Sequence, residues 1–323
     1  MKVGQRWNLG WVWICLLAVG LWPRAGWCAE LNVLCTTFPI YQITRNVAVG
    51  QAGVVVELLL PASLGCPHHY SLTPQDMRKL ARADLLVVNG LGLEAFLGAP
   101  VQNANPRLTV VDSARGVTEL LFYEEGPHDH DAHAPCEQNG SACVHAHQNN
   151  VNPHLFASPR QAAHLALNIA AGLSQADPDH ASLYVQHARA YADRLNALAD
   201  EMAAQVRTLR NNRIVQPHGV FDYLARDTGL EIVAVTQPHG REPSAAEMLH
   251  LVKTIRARQA GALVTEPQYA PKVGQTLARE TGIPTLELDP VASGPDDAPL
   301  DYYESVMRQN LEALQTVLGR LGR

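Results

Sequence analysis

Short apolar runs alternate with longer amphipathic stretches along most of the chain, in two successive sets of four. Runs of four to eight aliphatic and β-branched residues are typical of buried strands. Because helical stretches separate the runs, the pattern predicts an α/β fold with parallel sheets covered on both faces. The predicted strands are residues 31–37, 54–60, 85–89, 108–111, 213–216, 231–235, 262–265 and 285–288.

Helix signals lie between these runs. Thr73 as N-cap and Pro74 at the first position predict a helix over 75–83, and Ser244 has a capping-box spacing to Glu247. Between the two sets, Ser158-Pro159 opens one helix, and apolar residues spaced by three and four predict a second over 179–210. That helix would be about 48 Å long and could cross both lobes. Two shorter helices inside one lobe are the alternative.

The first residues predict an export signal. Lys2 and Arg6 precede an apolar run over 9–22, which is shorter than the roughly 20 residues of a membrane span. We therefore expect a signal peptide over 1–28, with a lipoprotein or an uncleaved anchor as alternatives. The further predicted divisions are an N-terminal lobe over 29–177, a connecting helix over 178–210 and a C-terminal lobe over 211–323.

Composition narrows the class of partner. The chain has 323 residues, 47% hydrophobic and 17% charged, which suits two ordinary cores. A net charge of −6 argues against a nucleic-acid partner. Four cysteines would remain after signal removal, an even number in an oxidising compartment. Cys35–Cys66 with Cys136–Cys143 is one of three possible pairings.

One segment has an unusual composition. Residues 124–150 are acidic and rich in histidine, with almost no apolar residues, so we expect a mobile, disordered loop. Its histidines could form a secondary, weaker metal store, or the segment could be a solvated tether. They are His128, His130, His133, His145 and His147.

Three other histidines and one aspartate lie beside turn residues. His68 follows the second predicted strand, His218 the fifth and Asp289 the eighth, whereas His154 follows the polar loop. Ligands of parallel sheets bind beyond the carboxyl ends of the strands. Three imidazoles and a carboxylate can complete a tetrahedral zinc site. A single histidine after a strand is more often a surface residue, so spacing alone only permits this site.

A series of motifs resembles one family over nearly all of the chain after residue 30. The chain looks like the bacterial metal-binding proteins that serve ABC transporters, known as cluster A-I or solute-binding protein family 9, and most closely like the zinc-uptake, ZnuA-like members. The matching motifs are Pro67-His68-His69-Tyr70, Asn89-Gly90-Leu91-Gly92-Leu93-Glu94, Asn152-Pro153-His154-Leu155, His218 with Phe221-Asp222-Tyr223-Leu224, Glu242-Pro243-Ser244, Thr265-Glu266-Pro267-Gln268 and Asp289-Pro290.

The resemblance implies two Rossmann-like (βα)4 lobes joined by a long rigid helix, with a metal in the interlobe cleft. It implies a periplasmic, monomeric protein that carries Zn²⁺ as cargo to the permease of an ABC transporter, and through it to the ATPase. His218 stands where manganese-type members tend to have Glu, which favours zinc. His69 replaces the family's Asp, and the fourth ligand, whether Asp289, His69 or water, stays open. A Cys66 thiolate near the ion is the alternative to a disulfide.

Two other classes compete with zinc transport. One is a manganese or other divalent-metal binding protein or adhesin with the same fold. The other is a zinc-dependent hydrolase, since three protein ligands plus water also describe a catalytic zinc. The chain lacks a His-Glu-x-x-His helix motif, and no glutamate stands beside a candidate ligand as an obvious general base. The sequence therefore favours a binding protein over an enzyme.

Overall fold

Two four-stranded parallel sheets form the framework of the protein, for which a computed structural model describes residues 30–65, 67, 70–123, 150–237, 242–269 and 272–319. The strands are β1 (Leu31–Cys35), β2 (Val54–Leu58), β3 (Leu85–Val88), β4 (Thr109–Asp112), β5 (Arg213–Gln216), β6 (Glu231–Val235), β7 (Ala262–Thr265) and β8 (Thr285–Glu287). Their orders are β2-β1-β3-β4 and β6-β5-β7-β8, so the second sheet repeats the first. The predicted α/β class and parallel sheets are confirmed.

Most strand ends agree with the apolar pattern, and the differences have a local cause. Strands β5, β6 and β7 coincide with the predicted ranges. The predicted strand 85–89 ends one residue early, because the backbone N–H of Asn89 donates to the buried carboxylate of Glu94 at 2.6 Å. In β1, Val33 lies opposite Val56 of β2 and Leu85 of β3, which fixes the register of the first sheet.

Nine α-helices connect and cover the sheets in the described part of the chain. They are α1 (Phe38–Val47), α2 (Pro74–Arg82), α3 (Gly98–Ala104), α4 (Pro159–Ala176), α5 (Ala181–Val206), α6 (Asp222–Thr228), α7 (Ala245–Ala257), α8 (Lys272–Thr281) and α9 (Tyr302–Leu318). The Thr73 cap of α2 forms a full capping box with Asp76, and the predicted box of Ser244 and Glu247 begins α7.

The long helix α5 is shorter than its apolar spacing predicts. It has 26 residues, about 39 Å at 1.5 Å per residue. Pro178–His180 form a separate 3-10 turn before it, and it ends at Val206, four residues before the predicted end. It packs against α4 along its length, against α1 beside the first sheet and against α6 and α9 beside the second. A single helix therefore crosses both sheets, as predicted. The described residues from Leu31 onward form one compact unit, so the lobe boundaries remain a prediction.

A shared core joins the two lobes, which we define as β1–β4 and β5–β8 with the helices that pack on them. Its buried residues come from β1, α1, α4, α5, α6 and α9 together, and two smaller cores lie on the outer faces of the sheets. Polar contacts also cross between the lobes. Arg45 donates to the Ala298 carbonyl at 2.6 Å, and Tyr303 donates to the Phe156 carbonyl at 2.7 Å. These contacts oppose a large hinge motion.

Candidate metal centre

His154 lies between the loop that ends at Val151 and the start of α4. An antiparallel bridge between Phe122 and Val151 closes the loop before it, and a 3-10 turn over Leu155–Ala157 follows it. Its side chain is buried. The ring nitrogen Nδ1 lies 2.8 Å from Oδ1 of Asn152 and 3.2 Å from the hydroxyl of Tyr123. Since the amide oxygen can only accept, Nδ1 carries the proton, and this tautomer presents a lone pair on Nε2.

His218 directly follows β5, and a buried carboxylate supports its ring. Nδ1 lies 3.1 Å from Oε1 of Glu266, whose side chain is 1% exposed. The other ring nitrogen, Nε2, is buried and has no hydrogen-bond partner among the described residues. A buried polar atom without a partner is rare, so each case requires an explanation. A metal ion bound at Nε2 would satisfy it.

The two histidines come from different lobes and meet in the structure. Their ring centroids lie 5.4 Å apart, with the ring planes at 72°. The aromatic ring of Tyr269, 6.0 Å from His218, packs on the other side of this pair. No group of three or more His, Cys, Asp or Glu side chains is close enough to hold a metal within the described ranges. The structure therefore joins two of the four predicted ligands.

Asp289 lies near Glu266, the carboxylate that contacts His218, and completes no group of three with the described residues. Its Oδ1 accepts from Gln268 at 3.0 Å and from the backbone N–H of Val291 at 2.8 Å. Burial raises the pKa of Asp289, and the negative charge of Glu266 raises it further. Two carboxylates thus face the same region from the ends of β7 and β8, and their repulsion would be relieved by a cation.

His68 and His69 lie outside the described residues, but the chain beside them is placed. Gly65 has a left-handed backbone with φ +75°, and a Cβ there would lie 3.4 Å from Cβ of Gln268. The Tyr269 hydroxyl would be 3.6 Å away. The loop that leads to His68 therefore packs against the loop that follows β7, on the side of His218.

Other predicted features also lie outside the described residues. They are the signal segment 1–28, Cys66, Cys136 and Cys143, and the five loop histidines. Cys35 is buried, and burial raises the pKa of its thiol to about 12. The cysteines with which it could pair lie outside the described residues, so its disulfide remains a prediction. The His-rich segment begins directly after Tyr123, which contacts His154. No described helix is long and apolar enough to cross a membrane.

Three residues of the site were missed by the sequence reasoning. The expectation that no glutamate stands beside a ligand is wrong, because Glu266 contacts His218 although the two are 48 positions apart. Asn152 and Asp222 were noted only as parts of motifs, yet both lie between the two histidine loops. Glu266 too was noted only within a motif, and its position after β7, beside the strand that leads to His218, was a second available signal.

Comparison with known proteins identifies the family. A family model described as "Zinc-uptake complex component A periplasmic", ZnuA, matches residues 33–317. The chain belongs to this family. A ZnuA of Brucella suis, named a high-affinity zinc uptake system protein, is 28% identical over 311 residues, covering 90% of this chain and 92% of the relative.

Further relatives include proteins longer than ZnuA. The zinc-binding lipoprotein AdcA of Streptococcus pneumoniae is 29% identical over 300 residues, covering 91% of this chain. The aligned part is 57% of AdcA, so the chain spans little more than half of that relative.

Solved structures share the fold of this ZnuA family member. The SBP FpvC of Pseudomonas aeruginosa, solved in complex with Ni²⁺, has a TM-score of 0.73 at 27% identity, covering 90% of this chain and 97% of FpvC. A crystal structure of ZnuA has the same TM-score at 23% identity, covering 90% of this chain and all of the other. The two-lobe fold joined by a long helix is thereby confirmed.

Proposed function

We propose that this protein binds a zinc ion in the cleft between its lobes, with His68, His154 and His218 as ligands, and delivers it to an ABC importer. The observation that carries the proposal is the histidine pair. Two rings from different lobes lie 5.4 Å apart between centroids. Nδ1 of His154 is hydrogen-bonded to Asn152, and Nδ1 of His218 lies 3.1 Å from Oε1 of Glu266. Metal-binding histidines commonly donate their second N–H in this way, which directs Nε2 at the ion.

The charge around the pair supports a cation as the ligand. Both oxygens of Glu266 are buried without a hydrogen bond in the described residues, and Oε1 has only the contact with Nδ1 of His218 at 3.1 Å. Burying such a poorly paired carboxylate is costly. A divalent ion at His218 would compensate this charge. Asp289 remains the predicted fourth ligand, reached through Oδ2 because Oδ1 already accepts two hydrogen bonds. Water or His69 are the alternatives.

The donor types favour zinc over manganese. Imidazole nitrogens suit zinc, nickel and copper, whereas carboxylate and water oxygens suit manganese. Two described histidines, together with His68 from the family motif, give three nitrogen donors. FpvC has been solved with both Ni²⁺ and Mn²⁺, so the fold alone does not select one metal. The relatives named for zinc, ZnuA of Brucella suis and AdcA, support zinc as the cargo.

The transport role follows from the family and its named relatives. We propose a periplasmic, monomeric protein that hands its ion to the permease of an ABC transporter. AdcA is named a lipoprotein, so membrane attachment through Cys28 is the alternative to free diffusion. The proposed role is binding and not catalysis, and it is supported by the zinc-uptake family and the relatives named for zinc uptake. Zinc-loaded protein should therefore show no turnover of ester, peptide or phosphate substrates.

Zinc titration against a competing chelator tests the site. Residues 124–149 are first replaced by a short Gly-Ser linker, which the Phe122–Val151 bridge should accept because it already brings the loop ends together. We expect one zinc per chain, and a loss of affinity by more than about 100-fold in His154→Ala and His218→Ala. His164→Ala on α4, an exposed histidine, is the control and should bind normally. Unchanged affinity in both site variants would refute the proposal.

The His-rich segment is proposed as a second, weaker zinc store. It begins one residue after Tyr123, whose hydroxyl lies 3.2 Å from Nδ1 of His154, so captured ions would be released beside the cleft. The intact chain should then bind more zinc than the linker variant. Equal stoichiometry in the two proteins would leave the segment as a tether.

A further inference from the structure

Asn152 is a buried residue whose hydrogen bonds connect the loop of His154 to the loop of His218. Its backbone N–H donates to the Leu121 carbonyl at 2.8 Å, and its carbonyl accepts from the hydroxyl of Tyr223 at 2.9 Å. Its side-chain nitrogen donates to the carbonyl of Gly219 at 2.6 Å and to Oδ2 of Asp222 at 2.8 Å. The residue is fully buried, and its side chain thus ties the loop of His154 to the loop of His218.

These partners fix the orientation of the amide. Both groups that face Nδ2, a carbonyl and a carboxylate, can only accept hydrogen bonds, so the nitrogen must be on that side. The oxygen Oδ1 then faces His154, where it accepts from the backbone N–H at 3.0 Å and from Nδ1 at 2.8 Å. An amide oxygen cannot donate, and His154 is therefore held as the Nδ1–H tautomer. The Tyr123 hydroxyl can share the same proton as a second acceptor.

Asp222 anchors the other end of this chain of hydrogen bonds. Its Oδ1 accepts from Nε2 of Gln216, the last residue of β5, at 2.5 Å. Oε1 of Gln216 in turn accepts from the backbone N–H of Phe221 at 3.1 Å. The 3-10 turn over Gly219–Phe221, which directly follows His218, is thereby held at both ends.

We infer that Asn152 and Asp222 act as positioning residues for the metal. Together they set the tautomer of His154 and hold the loops of His154 and His218 in fixed positions relative to each other before the ion binds. The inference rests on the proposed zinc site and extends it to residues that do not touch the ion. Partners of this kind typically contribute a factor of about 10 to 100 in metal affinity.

The tautomer is measured in the metal-free protein at pH 8 by nitrogen-15 NMR of the histidine rings, with His154 assigned from a His154→Gln variant. We expect the Nδ1–H form in the wild type and a shift toward the Nε2–H form in Asn152→Ala. Zinc affinity should fall about 10- to 100-fold in Asn152→Ala. Asn168→Ala is the matched control, because that amide also donates to two backbone carbonyls, of Ser113 and Arg115, away from the site.

A swapped pair separates positioning from general stability. In the double variant Asn152→Asp/Asp222→Asn, the new carboxylate at 152 can still accept from Nδ1 of His154, and the new amide at 222 can donate to it, whereas the hydrogen bond to the Gly219 carbonyl is lost. We expect the Nδ1–H tautomer and an affinity between those of the wild type and Asn152→Ala, a partial recovery that a merely structural role would not produce. The variant also carries the test if Asn152→Ala fails to fold.

Two results would overturn the inference. One is an unchanged His154 tautomer in folded Asn152→Ala, or an affinity loss no larger than that of Asn168→Ala. The other is a swapped pair that binds zinc as weakly as Asn152→Ala. Failure of the zinc site itself looks different, since His218→Ala would then bind like the wild type while the tautomer result in the metal-free protein still stood.

Discussion

Replacing Glu266 by glutamine should make the protein more stable and a weaker zinc binder. The carboxylate is 1% exposed, has no hydrogen-bond partner in the described residues and lies near the charge of Asp289. Without a cation this is an unfavourable buried charge, whereas with zinc on His218 it becomes favourable. The substitution keeps the shape and removes the charge, so the two effects should have opposite signs.

The magnitudes follow from these contacts. Burying a poorly paired carboxylate charge costs about 1–3 kcal/mol more than burying the neutral amide of the same shape, and in a chain of this size each kcal/mol changes Tm by about 2 °C. Metal-free Glu266→Gln should therefore melt about 2–6 °C higher than the wild type. Loss of the negative charge beside a ligating histidine should weaken metal binding about 10- to 100-fold, which is about 1.4–2.7 kcal/mol. The variant should thus gain less stability from zinc.

Differential scanning calorimetry at pH 8, with and without zinc, measures both effects on one sample, and chelator competition gives the affinity directly. Glu312→Gln, an exposed position on α9, is the control and should change neither. A lower Tm of the metal-free variant would show that Glu266 stabilises the fold through His218 rather than the bound ion. Unchanged affinity would refute the assigned role of the carboxylate.

Three further predictions concern the surroundings of the site. His218→Ala should lower zinc affinity more than Asp289→Ala, because Nε2 of His218 is buried without a partner whereas Asp289 already accepts two hydrogen bonds; equal losses in chelator competition would contradict this order. Gly219→Ala should weaken zinc binding about tenfold or more, since a Cβ would lie 2.8 Å from Oδ2 of Asp222 and 3.1 Å from Nδ2 of Asn152, and normal binding would contradict it. Burial raises the pKa of Glu94 to about 7. The free energy of unfolding of the wild type should therefore fall by about 3 kcal/mol, relative to that of Glu94→Gln, between pH 4.5 and pH 7. Urea unfolding of both proteins at both pH values measures this change, and a constant difference between them would contradict the prediction.

The sign of the Glu94 effect follows from proton linkage. Below pH 4.5 the carboxyl is protonated in both the folded and the unfolded chain, and the pH has no effect through it. As the pH rises toward 7, the unfolded chain loses this proton, whereas the folded chain, with a pKa of about 7, still keeps about half of it at pH 7. The folded state then binds more protons, and stability therefore declines with rising pH.

Much of the fold could be predicted because local rules and tertiary packing agree. The apolar runs of the second lobe gave the bounds of β5, β6 and β7 to the residue, and Thr73 and Ser244 marked two helix starts correctly. The predicted end of the long helix was wrong by a few residues. Apolar spacing continues through Leu209, which is buried although it lies beyond the helix. Burial and helical hydrogen bonding are separate constraints there.

The supporting residues of the site were beyond the reach of sequence patterns. Histidine followed by a turn residue is a recognisable signal, and His154 and His218 do meet as predicted. Glu266 and Asp222 act through contacts between loops that only the packing of two lobes brings together. The periodicity and spacing of a sequence do not indicate which buried carboxylate contacts which ring nitrogen. These contacts depend on how the loops of the two lobes pack across the cleft.

The most direct test of the account is a crystal structure of zinc-loaded protein with anomalous scattering recorded on both sides of the zinc absorption edge. We predict one strong peak in the cleft, bonded to Nε2 of His154 and of His218 at about 2.0–2.1 Å, with His68 as the third nitrogen ligand. Asn152 and Glu266 should remain on the Nδ1 sides of the two rings. A zinc peak elsewhere, or one in the cleft not bonded to these two histidines, would contradict the central claim.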